Sequence, residues 1–89
     1  MTIEEVIALP ETDKTMSNCF HTIDEGLEKD LRAGMRSTHA AWNFFGQYVW
    51  FEDGTFYEQV WQFHVPVATC SSDSLENLMR LVNDQFGWE

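Results

Sequence analysis

Eighty-nine residues at 10.4 kDa, 44% hydrophobic and with 13 aromatic side chains (7 Phe, 4 Trp, 2 Tyr), suffice for one folded domain and are too apolar for a disordered chain. Five basic against fifteen acidic residues give a formal net charge of −10, which argues against direct binding to nucleic-acid phosphates and against attraction to an anionic membrane. Met1–Pro10 carries Glu4 and Glu5 where a signal peptide has its basic region, and no apolar run reaches the roughly 18 residues of a membrane span, so a cytoplasmic protein is expected.

Composition changes near Ser37. Residues 1–36 hold eight acidic and four basic side chains with one aromatic, whereas residues 37–89 hold seven acidic, one basic and twelve aromatic side chains. No repeat, linker or low-complexity tract divides the chain, so residues 1–89 are read as a single domain, with 1–20 as a loosely packed arm at most. The first ten residues fit a short helix or a strand equally well. Thr22-Ile23-Asp24-Glu25 has the form of a capping box, and Ile23, Leu27, Leu31 and Met35 form a narrow stripe, which predicts a helix to about Arg36. Gly26 and Gly34 each weaken such a helix by about 1 kcal/mol relative to alanine, so it depends on docking.

Phe51-Glu52-Asp53-Gly54-Thr55-Phe56 is the clearest local signal. Asp-Gly tolerates the positive φ angles of a two-residue type I′ turn between strands. With Asp53 and Gly54 as the loop, cross-strand partners sum to 107. One face then carries Trp50 opposite Tyr57, Tyr48 opposite Gln59, Gly46 opposite Trp61, Phe44 opposite Phe63 and Trp42 opposite Val65. The other carries Phe51 with Phe56, Val49 with Glu58, Gln47 with Val60, Phe45 with Gln62 and Asn43 with His64. The first face is aromatic and the second mixed. Pro66, which lacks a donor, marks a bend, edge or bulge, and Val67–Ser71 reads as a short third strand. Asp73-Ser74-Leu75-Glu76 opens a C-terminal helix whose stripe is Leu75, Leu78, Met79, Val82 and Phe86, widened by Leu81. Gly87 is placed for its C-cap, with Trp88 folding back on the last turn. The expected fold is α+β: a small antiparallel three-stranded sheet, the C-terminal helix on its aromatic face and an N-terminal helical segment beside it.

That arrangement leaves the mixed face to be covered by the N-terminal helix, a second subunit or a partner. Its residues Phe45, Val49, Phe51, Phe56, Glu58 and Val60, with Glu52 and Asp53 at the hairpin tip, are the candidate partner-binding set. Cys19 and Cys70 read as thiols, and with His21, His39 and His64 they match no zinc spacing. No phosphate-binding loop, nucleophile elbow or paired metal-binding histidines occur, so neither catalytic residues nor a cofactor are expected.

From Trp50 through Trp61, and in Ser74-Leu75-Glu76-Asn77-Leu78 with Val82-Asn83-Asp84-Gln85-Phe86-Gly87-Trp88, the chain resembles small accessory proteins of actinobacterial phages that pair an Asp-Gly hairpin with a C-terminal helix. The resemblance covers residues 40–89 and brings no catalytic residue. It implies a protein that binds a host protein in the host cytoplasm. The acids add a sharper expectation, because carboxylates on a small scaffold imitate nucleic-acid charge and fit the groove of a nucleic-acid-binding protein. The expectation is thus a non-enzymatic interaction protein that inhibits or modulates a host protein. The alternative is a homo-oligomeric assembly protein, in the simplest case a homodimer, joined through the mixed face.

Overall fold

A computed structural model describes residues 1–17, 22–24, 26–41 and 45–86, with backbone alone for 16, 17, 22, 23, 39–41 and 45. In chain order it contains α1 (Ile3–Ile7), β1 (Met16–Ser17), β2 (Thr22–Ile23), α2 (Leu27–Arg32), β3 (Ser37–Ala41), β4 (Phe45–Glu52), β5 (Thr55–Gln62), β6 (Val65–Ser72) and α3 (Leu75–Phe86). The fold is α+β. Strands β3-β4-β5-β6 form a four-stranded antiparallel sheet in sequence order, and β1 and β2 form a separate two-stranded ribbon. The three-strand expectation lacked β3, whose Ser-Thr-His-Ala-Ala sequence has no apolar alternation.

The β4–β5 register runs from Glu52↔Thr55 to Gly46↔Trp61, as the Asp-Gly turn predicts. Asp53 and Gly54 both have positive φ, at 51° and 80°. Among the described residues the β4–β5 ladder ends at Gly46↔Trp61. Phe63 and His64 form a second two-residue turn, also with positive φ at both positions (52° and 67°), and Gln62 pairs with Val65. The pairs expected between Phe63, His64 and Val65 and residues 42–44 fall outside the described residues, and the described β4–β5 ladder does not include the expected Phe45–Gln62 pair. Pro66 explains the geometry: its missing N–H is tolerated on an edge strand, and β6 is the sheet edge. A register shift opposite Val60 and Trp61 makes Val67 the extra residue of a β-bulge.

Of the two readings of the first ten residues, the helix is the one formed, over Ile3–Ile7. Thr2 Oγ1 accepts from the Glu5 amide at 3.3 Å while Glu5 Oε1 accepts from the Thr2 amide at 3.0 Å, a reciprocal capping box. The Thr2 amide and, after it, the Thr2 hydroxyl hold the Glu5 carboxyl below its ordinary pKa. The helix does not start at the box read at residues 22–25, of which Glu25 lies outside the described residues. Thr22 and Ile23 pair with Ser17 and Met16 instead, Asp24 accepts from the Thr15 amide at 2.6 Å, and α2 starts after Gly26 in the left-handed conformation, φ 81°. In α3 the cap is Ser74, one residue later than expected, because its hydroxyl accepts from the Asn77 amide at 3.2 Å. Gly87 and Trp88 lie outside the described residues.

The main core is Leu27, Leu31, Val49, Phe56, Val60, Leu75, Leu78, Met79 and Val82, with Phe51, Cys70 and Phe86 packed against it. Val49, Phe51, Phe56 and Val60 belong to the mixed face, so α2 and α3 cover that face. The expectation that α3 lies on the aromatic face is thus corrected. Three observations place α1 over the opposite face. Arg36 Nε donates to the Ile7 and Leu9 carbonyls at 3.2 and 3.1 Å, Arg36 also donates to Thr38, and the Met1 ammonium bonds Glu52 at 3.0 Å. Val6 and Trp50 are buried on this side, outside the main core.

Candidate interaction surface

Burial decides which of the expected partner-binding residues are available. Val49, Phe56, Glu58 and Val60 are buried beneath the helices and Phe51 is packed against the same core. The Phe51 and Phe56 rings meet at a tilt, centroids 4.8 Å apart and planes 54° apart, and the Arg32 guanidinium lies 4.8 and 5.1 Å from their ring centroids. Phe56 is thereby buried and Phe51 half-buried, and α2 and α3 lie over much of the mixed face. The side chain of Phe45 lies outside the described residues. Glu52 and Asp53 remain at the surface, with Glu5 close enough for all three to act electrostatically on the Met1 ammonium and hold its pKa above the ordinary value, chiefly through the Glu52 bond.

The aromatic face becomes the informative one. Trp50 and Tyr57 stack at 5.4 Å with planes 14° apart, and Tyr48 meets Trp61 edge-on at 6.4 Å. Trp61 Nε1 donates to Gln59 at 2.7 Å, and Gln59 donates to Thr69 at 3.2 Å. Trp50 is sealed at 5% exposure, whereas Tyr48, Tyr57, Gln59 and Trp61 are half-buried and Thr69 is exposed. The sheet therefore presents an ordered amphipathic patch with α1 over one end.

At the other end of the sheet lies an apolar corner. Phe63 is 72% exposed, Val65 53% and Val67 44%, three large apolar side chains within five residues of the β5–β6 turn. Positive φ at a bulky residue such as Phe63 is strained, because Cβ crowds the backbone. Strain and exposure thus coincide at one side chain, a combination found where function retains an unfavourable geometry. Sequence reasoning missed this corner, since Phe-His carries none of the Gly or Asn signals of such a turn. The available signal was Pro66, which argues against an internal strand two residues after the turn.

The chemistry of the remaining groups is quiet. Cys70 is a free thiol whose pKa is raised by burial and secondarily by the Glu58 carboxylate, the reverse of what a nucleophile needs. Its thiol lies 3.4 Å from Gln85 Oε1. Among the described residues, no three His, Cys, Asp or Glu side chains gather to hold a metal ion, and no helix is long and apolar enough to cross a membrane. No protein family matches the chain, and neither do any curated proteins or solved structures.

Proposed function

We propose that this chain is a small acidic, non-enzymatic interaction protein that binds and inhibits or modulates a host protein, using the Phe63–Val67 corner and the adjoining open part of the aromatic face. The observation that carries this reading is the concentration of exposed apolar side chains at Phe63, Val65 and Val67 beside half-buried Trp61. Contiguous exposed apolar surface next to aromatic side chains marks association sites. Charge selects the partner: a chain of net charge −10 is complementary to a surface rich in Lys and Arg. Arginine also suits the rings themselves, as Arg32 over Phe51 and Phe56 illustrates within this molecule. The partner we propose therefore has an apolar pocket for Phe63 inside a basic rim. Nucleic-acid-binding proteins offer such rims, and the resemblance to phage accessory proteins suggests a host cell as the setting.

The test is capture from an actinobacterial host lysate at low and high salt, comparing the native chain with a Phe63→Asn, Val67→Ser double variant. The expected result is one stoichiometric basic protein, retained less at high salt and lost with the double variant. Equal capture by both chains, or none by either, overturns the reading. Displacement of the partner by DNA or RNA identifies charge mimicry as the mode.

A further inference from the structure

The two edges of the main sheet differ. Beside β3 the chain protects itself: Arg36 N donates to the Pro10 carbonyl at 2.8 Å, Thr12 N donates to the Arg36 carbonyl at 2.9 Å, and the Ser37 hydroxyl donates to the Lys14 carbonyl at 2.8 Å. The outer edge of β6 pairs with no strand among the described residues. Exposed edges are ordinarily guarded by charges, prolines or bulges. Pro66 and the Val67 bulge guard the first part of β6, but Ala68-Thr69-Cys70-Ser71-Ser72 has no such device, and no charged residue occurs between Val65 and Ser72. In an acidic chain this neutral edge is where a like-charged second copy can approach with least repulsion.

The helix above the edge supplies a second, independent feature. Asn77 Nδ2 donates to the Ser72 hydroxyl at 2.9 Å, and Gln85 contacts Cys70 as described above. Asn77, Leu81 and Gln85 are spaced four apart, so they form one row along the β6 flank of α3. Leu81 stands between the two anchors and is 41% exposed, although the α3 stripe was expected to include it.

We infer that two copies of this chain associate through β6, antiparallel about a dyad at Cys70, into a continuous eight-stranded sheet. This register sets Thr69 of each copy opposite Ser71 of the other, a favourable hydroxyl pair on the open face. It sets the two α3 helices antiparallel with Leu81 beside Leu81, burying the exposed leucine. Arg80 and Asp84 lie on the solvent side of Leu81, so the same dyad brings Arg80 of each copy towards Asp84 of the other. The pairing is isologous and closed, and it leaves both Phe63 corners at the outer ends. The inference is independent of the proposed function.

Sedimentation equilibrium and light scattering on the native chain test it, with Thr69→Lys and Leu81→Lys as separate variants at exposed positions. The native chain should give twice the monomer mass at tens of micromolar, and each lysine should weaken dimerisation at least tenfold while leaving the circular dichroism unchanged. A Cys19→Ser chain, treated with diamide as the two-electron oxidant that accepts the thiol protons, should form a Cys70–Cys70 linked dimer. Opposed residues in an antiparallel ladder have Cα atoms about 4.5 to 5.5 Å apart, within disulfide reach. A monomer at every concentration overturns the inference, as does a dimer indifferent to both lysines.

Discussion

The side-chain amide of Gln47 on β4 donates to the carboxylate of Glu58 on β5 at 2.6 Å, and both residues are buried on the helix-covered face. Val49 opposes Glu58 and Val60 opposes Gln47, so the two polar side chains are diagonal neighbours within an apolar sheet surface. The pair makes this face compatible with a core, because each group supplies part of the hydrogen bonding that burial demands. Gln47→Leu removes the donor and leaves the carboxylate, and should cost about 1 to 3 kcal/mol in urea unfolding. Gln47→Leu with Glu58→Leu should cost less than the sum of the single changes, a coupling read from a double-mutant cycle. Additive losses would show that the two side chains act independently.

This pair also explains how far the fold was legible in the sequence. Asp53-Gly54 fixed the hairpin register because only a few dipeptides suit its backbone, and the α3 stripe followed from spacing. The face assignment did not follow, since Gln47 and Glu58 read as solvent-facing until their mutual bond is seen. The aromatic face looked like the better core by area. Tyr48, Tyr57 and Trp61 nevertheless carry polar atoms, and their neighbours Gln59 and Thr69 extend a surface network that tolerates water. The interaction corner was illegible for another reason: Phe63-His64 adopts a turn that neither residue favours. Of the expected site, Glu52 and Asp53 remain at the surface.

Residues 12–14 are fastened to α2 through Asp30, whose carboxylate accepts from Lys14 Nζ at 2.8 Å and from the Thr12 hydroxyl at 2.9 Å. The Lys14 bond first, then Thr12, holds the Asp30 carboxyl below its ordinary value of 3.8, while the same ion pair raises Lys14. A carboxyl depressed in the folded state contributes stability above its unfolded pKa and loses it as pH falls through the folded value. Asp30→Asn should therefore lower the urea midpoint at neutral pH and flatten the decline in stability at pH below about 4. Asparagine keeps an acceptor for Thr12, so the lost pH dependence reports the charge. An unchanged acid profile would assign the sensitivity to other carboxyls.

Trp50 Nε1 is buried and finds no hydrogen-bond partner among the described residues, although its ring stacks on Tyr57. A buried donor without an acceptor forfeits about 1 to 3 kcal/mol of hydration, which Trp50→Phe recovers while losing some packing. The two effects oppose, so this variant should stay within about 1 kcal/mol of the native chain, whereas Trp50→Ala should lose about 3 to 5 kcal/mol. Thermal unfolding of both variants measures the difference. A Phe variant as damaged as the Ala variant would mean that the indole N–H has a partner in solution.

Phe63 sets stability against binding. Its φ of 52° places a bulky side chain in left-handed backbone, and its 72% exposure returns little burial energy to the isolated chain. Asparagine adopts this conformation far more readily, since its short polar side chain bonds locally, and left-handed backbone costs most other residues roughly 1 to 2 kcal/mol. Phe63→Asn should accordingly stabilise the protein by about 1 kcal/mol, seen as a higher urea midpoint with an unchanged slope. The same substitution removes the proposed anchor and should weaken partner binding by tenfold or more. Gain in stability with loss of binding is the pattern of a residue retained for association rather than folding. If Phe63→Asn destabilises the isolated chain, the ring contributes to the fold, and its exposure no longer argues for a partner.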